Sequence, residues 1–429
     1  MAMKGESISM KTEEAVKQLS IIIPMYNAEK TIQKCLRSLI LPKEQMERLE
    51  VIVVDDGSLD RSAAYADWYR RKYPGSFQLV RKPNGGHGSA VNAGAARCSG
   101  RYLKVLDADD WMHTDSLEEV LELLETVDAQ VVACGYDQCR ISAGSKDCRM
   151  KERICAGSRT SRTEERTYTG STNRTKKNIC AGRAARTKRM ICAGRSVRRM
   201  KVKEKGACGL DHARLIQISA GLEPDEKVLH LNMEQLLREW ERFRQIFCLH
   251  GLIYQTEFYR QLSYRMPEGV SYDDAFFFTV PCSHAKRLCV IRTQLYVYRI
   301  GDPGQSVSAQ NREKRIHQME QVIWSITAAN KSRKCLQAGR EYYYRKLVSV
   351  ISDYYVTAFL RCSDKKRGRK AAQTFTGRLR RADQELYHRL KSRYWLLLGM
   401  GLCHRTEQDF ERLLCWANGV STIRKRVIM

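Results

Sequence analysis

The first 135 residues set the strongest constraint on what this chain can fold into, because short continuous apolar runs alternate there with segments of helical periodicity. "LSIIIP" (19–24), "LEVIVVDD" (49–56), "FQLVRK" (77–82), "RYLKVLDADD" (101–110) and "AQVVACG" (129–135) have the length and composition of buried strands. Asn27 is expected to cap a helix carrying Ile32, Cys35, Leu36 and Leu39. Ser58 or Asp60 is expected to cap a second helix through about Arg71. "GSAVNAGAARC" (88–98) and residues 114–126 read as two further helices. Apolar strands separated by helices predict an α/β fold, a mostly parallel sheet flanked by helices on both faces.

Ligands of such sheets bind beyond the carboxyl ends of the strands. That rule gathers Tyr26 and Asn27, Asp55 and Asp56, and Asp107, Asp109 and Asp110 onto one rim. The last three close the apolar run "LKVLDADDW" in a chain of formal charge +27. Two carboxylates a few ångströms apart repel by roughly 1 kcal/mol in water and about 4 kcal/mol at an effective dielectric of about 20. A fold retains them most readily beside a cation or a donor-rich ligand. Asp107 and Asp109, spaced Asp-x-Asp, suit Mg2+ or Mn2+, which complete their shell with phosphate and water. A lone acidic pair reads equally as a helix cap, but "VVDDGSLD" (53–60) ends a second strand in the same way, and together they point to a nucleotide site.

Between the two lies "KPNGGHGSAVNAG" (82–94), a Gly-rich loop opening a helix, whose backbone N–H groups can approach anionic oxygens. It matches neither a P-loop nor a well-spaced dinucleotide fingerprint. His87 reads there as a loop hydrogen-bonder without a catalytic role.

Residues 140–206 break the pattern. "RISAGS", "RICAGS", "NICAGR" and "MICAGR" recur at a period of 12–13 residues, with a degenerate "TYTGS" between them. The segment holds 21 Lys/Arg against 5 Asp/Glu, so it supplies most of the chain's net positive charge. It lacks the amphipathic pattern of a stacked solenoid and is expected to be disordered, a tandem expansion in a surface loop. Overall basicity is therefore poor support for a nucleic-acid partner, although binding through this insertion stays open as an alternative.

The sixteen cysteines show no CxxC spacing and, without a secretory signal at the N-terminus, read as reduced core thiols. The longest apolar stretch near the C-terminus, "YWLLLGMGLC" (394–403), is too short to span a bilayer. These readings predict a cytoplasmic chain. Helical patterns dominate after 311, and the basic C-terminus "IRKRVIM" suggests approach to the inner face of an anionic membrane.

"SIIIPMYNAEKTIQKCLRSL", "VIVVDDGSLDRS" and "NGGHGSAVNAGAARCSGRYLKVLDADDW" resemble, in order and spacing, the N-terminal half of family 2 glycosyltransferases of the nucleotide-diphospho-sugar type, which have the GT-A fold. The likeness covers residues 19–137 and resumes at "CLHGLIYQTEFYRQL" (248–262), "EGVSYDDAFFFTVP" (268–281) and "LYVYRIGDPGQSVS" (295–308). The repeat insertion departs from the family pattern between the two halves.

The resemblance implies that Tyr26 and Asp56 contact the nucleotide base, Asp107 the nucleotide-sugar and Asp109 the metal. Asp274, with Asp273 beside it, takes the position of the catalytic base in "YDDAFF". By itself that motif reads equally as the acidic N-terminus of a helix. Arg299 is implied to pair with diphosphate, and Gln305 and Ser306 to lie in a loop that closes near the donor. The full substrate-binding set is Pro24, Tyr26, Asn27, Asp55, Asp56, Asn84, Gly85, Asn92, Asp107 and Arg299, with Asp107 and Asp109 as metal ligands and Asp274 catalytic. The expected organisation is a tail at 1–18, a nucleotide-sugar-binding half at 19–139, the insertion at 140–206, an acceptor-side half at 207–310 and a helical C-terminal appendage at 311–429. The expected activity is inverting transfer from a nucleotide-sugar donor, a UDP-sugar above all, to a glycan or lipid-linked acceptor. A binding protein impaired by the insertion is the alternative within the same fold.

Overall fold

The computed structural model describes residues 17–140, 214–223, 225–302, 305, 308–332, 335–414 and 416. The expectation of disorder in the repeats therefore falls, but for residue 140, outside the described residues. Among the described residues ten strands form one sheet: β1 (Leu19–Met25), β2 (Leu49–Asp55), β3 (Phe77–Arg81), β4 (Tyr102–Val105), β5 (Trp111–Met112), β6 (Val131–Arg140), β7 (Arg214–Ile218), β8 (Val228–Leu231), β9 (Leu252–Gln255) and β10 (Leu288–Ile300). Their order is β3-β2-β1-β4-β9-β6-β10-β5, with β7 on β6 and β8 on β10.

Every residue of β1 and β2 is buried, as a parallel strand covered on both faces requires. Alternate side chains serve two cores. Ile22, Ile52, Val54, Leu103 and Val105 face one, while Leu19, Ile21, Ile23, Val51 and Val53 face the other. β3, β2, β1 and β4 run parallel, and so do β6 and β10. β9 lies antiparallel between β4 and β6 and joins the two parallel groups.

Two buried charged groups of the sheet, Glu50 and Lys104, are satisfied by hydrogen bonds. Buried Glu50 accepts from the Ser99 N–H (2.8 Å), Ser99 Oγ (2.9 Å), Gln78 Nε2 (2.9 Å) and the Ser20 hydroxyl. Buried Lys104 donates to the carbonyls of His250 (2.7 Å) and Leu252 (3.1 Å), and burial brings its pKa down to about 8.

β6 and β7 pair antiparallel, with Arg140 opposite Arg214. The last described residue before 141–213 and the first one after it thus stand at facing positions of the sheet. The C-terminal helices Ile316–Ser332, Gln337–Val356, Lys365–Ala382 and Gln384–Leu402 share the first core with the sheet, which continues through Phe277 and Val280 to Tyr342, Ile351, Tyr355, Phe375 and Leu390. Tyr342 ties the two regions by donating to the Phe278 carbonyl at 2.7 Å.

Two local expectations are corrected. Asn27 does not cap the first helix, Ile32–Arg37; it sits at φ +47° and its side chain accepts from the Leu59 N–H at 2.8 Å. The fourth strand stops at Val105, because residues 107–110 turn back on themselves through an Asp110 N–H to Asp107 carbonyl bond of 3.0 Å. Among the described cysteines all are free thiols and most are buried. Among the described residues no helix is long and apolar enough to cross a membrane.

Candidate active site

The rim follows from strand register. Met25 pairs with Asp55 and Ile22 with Val105, so β1, β2 and β4 end side by side. The chain stays joined just beyond, where the Asp56 N–H donates to the Met25 carbonyl at 2.8 Å and the Leu106 N–H to Ile22 at 2.9 Å. Tyr26, Asp55, Asp56 and Asp107 therefore emerge on one edge. Tyr26 is 51% exposed, and Asn27 and Asn84 are also exposed, whereas Pro24 is buried inside β1 opposite Val54.

Asp55 accepts from the Ser58 N–H at 3.0 Å. Asp56 is more fully committed, to Lys82 Nζ (2.6 Å) and the backbone N–H groups of Gly85 (3.0 Å) and Gly86 (2.7 Å). It anchors the Gly-rich loop, whose N–H groups at these two positions face the protein's own carboxylate. The loop lies against residues 266–273. A side chain at Gly88 would meet the Pro267 carbonyl at 2.2 Å and Asp273 Oδ2 at 2.7 Å, so only glycine permits the approach. Asn92 belongs to the same contact: it donates to the Met266 carbonyl (3.0 Å) and Glu268 (3.1 Å), and accepts from the Met266 N–H (2.8 Å). Of the expected substrate set, Asp56, Gly85 and Asn92 thus hold the wall of the site together.

His87 links the two halves of the molecule. Its Nδ1 lies 2.9 Å from Asp273 Oδ2 and its Nε2 lies 3.0 Å from Asp107 Oδ1. With a carboxylate on each nitrogen, both must donate, which is the imidazolium form. Burial would lower the His87 pKa, but the charges and hydrogen bonds of Asp273 and Asp107 outweigh it and hold it well above the usual histidine range. Asp107 is also opposed by burial, yet His87 keeps its carboxyl below the ordinary value.

The other two acids of the turn are pushed the opposite way. Burial, followed by the charge of Asp107, raises Asp109, which accepts from Gln305 Nε2 at 3.1 Å. Burial, then Asp109 and Asp107, raises Asp110 well above the carboxylate range, although Tyr296 Oη (2.5 Å) and the Arg299 N–H (2.7 Å) both donate to it. One acidic atom each from Asp107 and Asp110 and a ring nitrogen of His250 lie within 4.8 Å of one another. Burial and Lys104 depress the His250 pKa to about 4 against the opposing charge of Asp107, so its imidazole is neutral at neutral pH, the form that ligates a metal. Two carboxylates with a neutral imidazole, in a turn whose acids repel, fit a divalent cation. The sequence reading chose Asp107 and Asp109; the described geometry groups Asp107 with Asp110 and His250, and places Asp109 against Gln305.

A cleft of about 490 Å3 opens beside this turn, with Asn84, His87, Asp107, His250, Asp273, Asp274 and Tyr298 in its lining. His250 stacks on Tyr298 with ring centroids 4.0 Å apart. The two neighbouring acids differ in role. Asp273 is buried and bound to His87, whereas half-buried Asp274 accepts, among the described residues, only the Ala275 N–H at 2.9 Å. Burial and the charge of Asp273 raise the Asp274 pKa to about 6, with His87 opposing. Arg299 pairs with Asp302 at 3.2 Å, and its backbone holds Asp110. Ser306 lies outside the described residues.

His87 was legible only as a polar residue in a glycine loop, because its partner Asp273 lies 186 positions away. His250, in "CLHGL", carries no local signal at all.

A mostly parallel sheet with acids at its strand ends around one cleft is the GT-A type of α/β fold, with a helical C-terminal region. Residues 20–191 match Glycosyl transferase family 2. It is 33% identical over 118 residues to the glycosyltransferase EpsJ of Bacillus subtilis (strain 168), a stretch covering 28% of this chain and 33% of EpsJ. It is 34% identical over 122 residues to the glycosyltransferase YibD of Escherichia coli (strain K12), covering 28% and 35%. The minor teichoic acid biosynthesis protein GgaB of Bacillus subtilis (strain 168) is 35% identical over 106 residues, covering 25% and 12%. The chain matches about a third or less of the length of these curated relatives. Residues 1–349 of S. aureus TarS superpose with a TM-score of 0.52 at 15% identity, over 92% of this chain and 91% of that one, a likeness of fold.

Proposed function

We propose that the protein is an inverting glycosyltransferase that moves a sugar from a nucleotide-diphospho-sugar, a UDP-sugar, to a hydroxyl of a glycan or lipid-linked acceptor. The observation that carries the reading is the contrast inside "YDDAFF": Asp273 is spent on His87, while Asp274 has an oxygen without a partner among the described residues, in the same cleft as Asp107.

Asp274 takes the proton of the acceptor hydroxyl as that oxygen bonds to the anomeric carbon. The bond from that carbon to the diphosphate oxygen breaks on the opposite face, and its electron pair leaves with the nucleoside diphosphate, so the configuration inverts. With a pKa of about 6, Asp274 is ionised at neutral pH and still basic enough to accept the proton. His87 holds Asp273 and Asp107 at fixed positions and offsets their charge, which would otherwise repel a diphosphate. Asp107, Asp110 and His250 would hold Mg2+ or Mn2+, with Asp109 next to them. A divalent ion there supplies positive charge to the departing diphosphate. The basic C-terminal portion supports a peripheral contact with an anionic membrane face.

The test is release of nucleoside diphosphate from a panel of UDP-sugars, with wild type and Asp109→Ala. Turnover in the wild type that drops in the variant supports the reading. Equal background in both removes the enzyme and leaves the binding-protein alternative.

A further inference from the structure

We infer that the part of the cleft closed by the helical region is a subsite for an anionic group of the acceptor, a phosphate or carboxylate carried near the hydroxyl that receives the sugar. This rests on the reading of Asp274 as the base.

The cleft has walls of opposite character. Asp107, Asp273 and Asp274 supply one, and Arg315 and Gln318, from the helical region beyond the part matched by the family, supply the other. Three guanidinium groups stand near Tyr272, those of Arg312, Arg315 and Arg361, with Asp353 as the acid among them. Arg312 is bound to Asp353, and Arg361 to Asp353 and Glu407. Arg315 alone of the three has no carboxylate partner among the described residues, and it is the one that lines the cleft. Its Nη1 donates to Ser271 Oγ at 2.9 Å, which leaves the rest of a planar fork of donors unspent. Gln318 spends its Oε1 on the Ser271 N–H at 3.1 Å, and its amide nitrogen has no partner among the described residues. The wall therefore offers unspent donors and a positive charge. A forked guanidinium beside an amide matches phosphate or carboxylate oxygens, and a neutral sugar would leave the charge unanswered.

The placement also has a use. Arg315 and Gln318 both clamp Ser271, three residues before Asp274, and Tyr272 between them is held at φ +70°, a left-handed conformation that a side chain of this size rarely adopts. The anion subsite and the proposed base thus sit on one short fixed segment. An acceptor anchored at Arg315 would have its hydroxyl placed against Asp274 by that segment.

The experiment uses the full chain as wild type, Arg315→Gln, Arg315→Lys and Gln318→Glu. Dissociation constants are read by ligand-observed NMR for glycerol 3-phosphate and glucuronate beside glycerol and glucose, and for UDP with Mg2+, with thermal melting as the check on folding. The expected result is at least tenfold tighter binding of the anions than of their neutral partners. Arg315→Gln and Gln318→Glu should each remove that gap, Arg315→Lys should keep part of it, and UDP affinity should not change. A preference for glycerol 3-phosphate marks a phosphate-bearing acceptor, and a preference for glucuronate marks an acidic sugar. Equal or undetectable binding of charged and neutral compounds overturns the inference. So does an unchanged anion gap in both folded neutralising variants, or a loss of UDP affinity, which would assign Arg315 to the donor. Sugar transfer is not the readout, so intact anion selectivity without turnover would sink the transferase reading and spare the subsite.

Discussion

His87 Nδ1 lies 2.9 Å from Asp273 Oδ2, a contact across 186 positions of sequence that makes the donor rim and the proposed base one mechanical unit. Replacing the ring by His87→Ala leaves Asp107 and Asp273 without their shared cation. Breaking a fully buried pair costs about 3–5 kcal/mol, and for this partly exposed ring about 2–3 kcal/mol is expected in urea unfolding at pH 6. The pH dependence fixes the sign. A histidine whose folded pKa is raised contributes fully below its unfolded value of about 6.5, and the contribution fades as pH climbs through the raised value. The difference between wild type and variant should therefore shrink on the alkaline side. A gap that widens with rising pH would contradict an imidazolium bridge.

Asp274→Asn removes the proton acceptor and leaves the donor rim untouched. Transfer should fall by about 10²–10⁴-fold with little change in the affinity for UDP. In the wild type, kcat/KM should be flat above pH 6 and lose about tenfold per unit below it, since the base acts only when ionised. A pH profile of the wild type with no inflection near 6 would assign the base elsewhere.

The same substitution makes a stability prediction of opposite direction. Asp274 has its folded pKa raised from 3.8 to about 6, so its ionisation costs folding free energy that builds as pH rises from the unfolded value to the folded one and is complete above it. Asn cannot ionise. Asp274→Asn should then be more stable than wild type by about 1–3 kcal/mol at pH 8, a margin that vanishes near pH 4, as measured by chemical denaturation.

Removal of divalent ions with a chelator should weaken UDP binding by at least tenfold, and Mn2+ or Mg2+ should restore it. Asp110→Asn tests the group seen in the structure: it should reduce metal affinity, read by Mn2+ paramagnetic relaxation, by about 10–100-fold. Unchanged Mn2+ affinity in this variant would remove Asp110 from the ligand set.

Replacing residues 141–213 by a two-residue hairpin turn should preserve the far-ultraviolet spectrum and UDP binding, because β6 and β7 pair without them. Salt-sensitive binding to RNA or DNA, where wild type shows it, should disappear with the segment. Loss of UDP binding in a folded deletion would mean that the repeats reach the site.

Much of the frame was legible because buried parallel strands announce themselves as uninterrupted apolar runs. β1 and β2 end within a residue of expectation, and the helix at 114–126 matches at both ends. Direction was not legible: "LIYQ" is a strand in either orientation, and only its neighbours make β9 run against β4 and β6. Short polar side chains misled at Asn27, where a hydrogen bond to the next loop wins over the helix end. Within the site, acids at strand ends could be gathered by topology, but what each acid does depends on partners from distant segments. Asp56 spends itself on glycine N–H groups, Asp273 on His87, and Asp110 on Tyr296 and the backbone of Arg299.

Arg140 stands opposite Arg214, so the sheet measures the interval between them as one strand spacing however many codons separate them. Replication slippage in a repeat-bearing gene can lengthen or shorten that interval while the carboxylates of the cleft keep their places. The junction is therefore a natural graft point, where a reporter domain whose own ends lie close together could be spliced in without rebuilding the cleft.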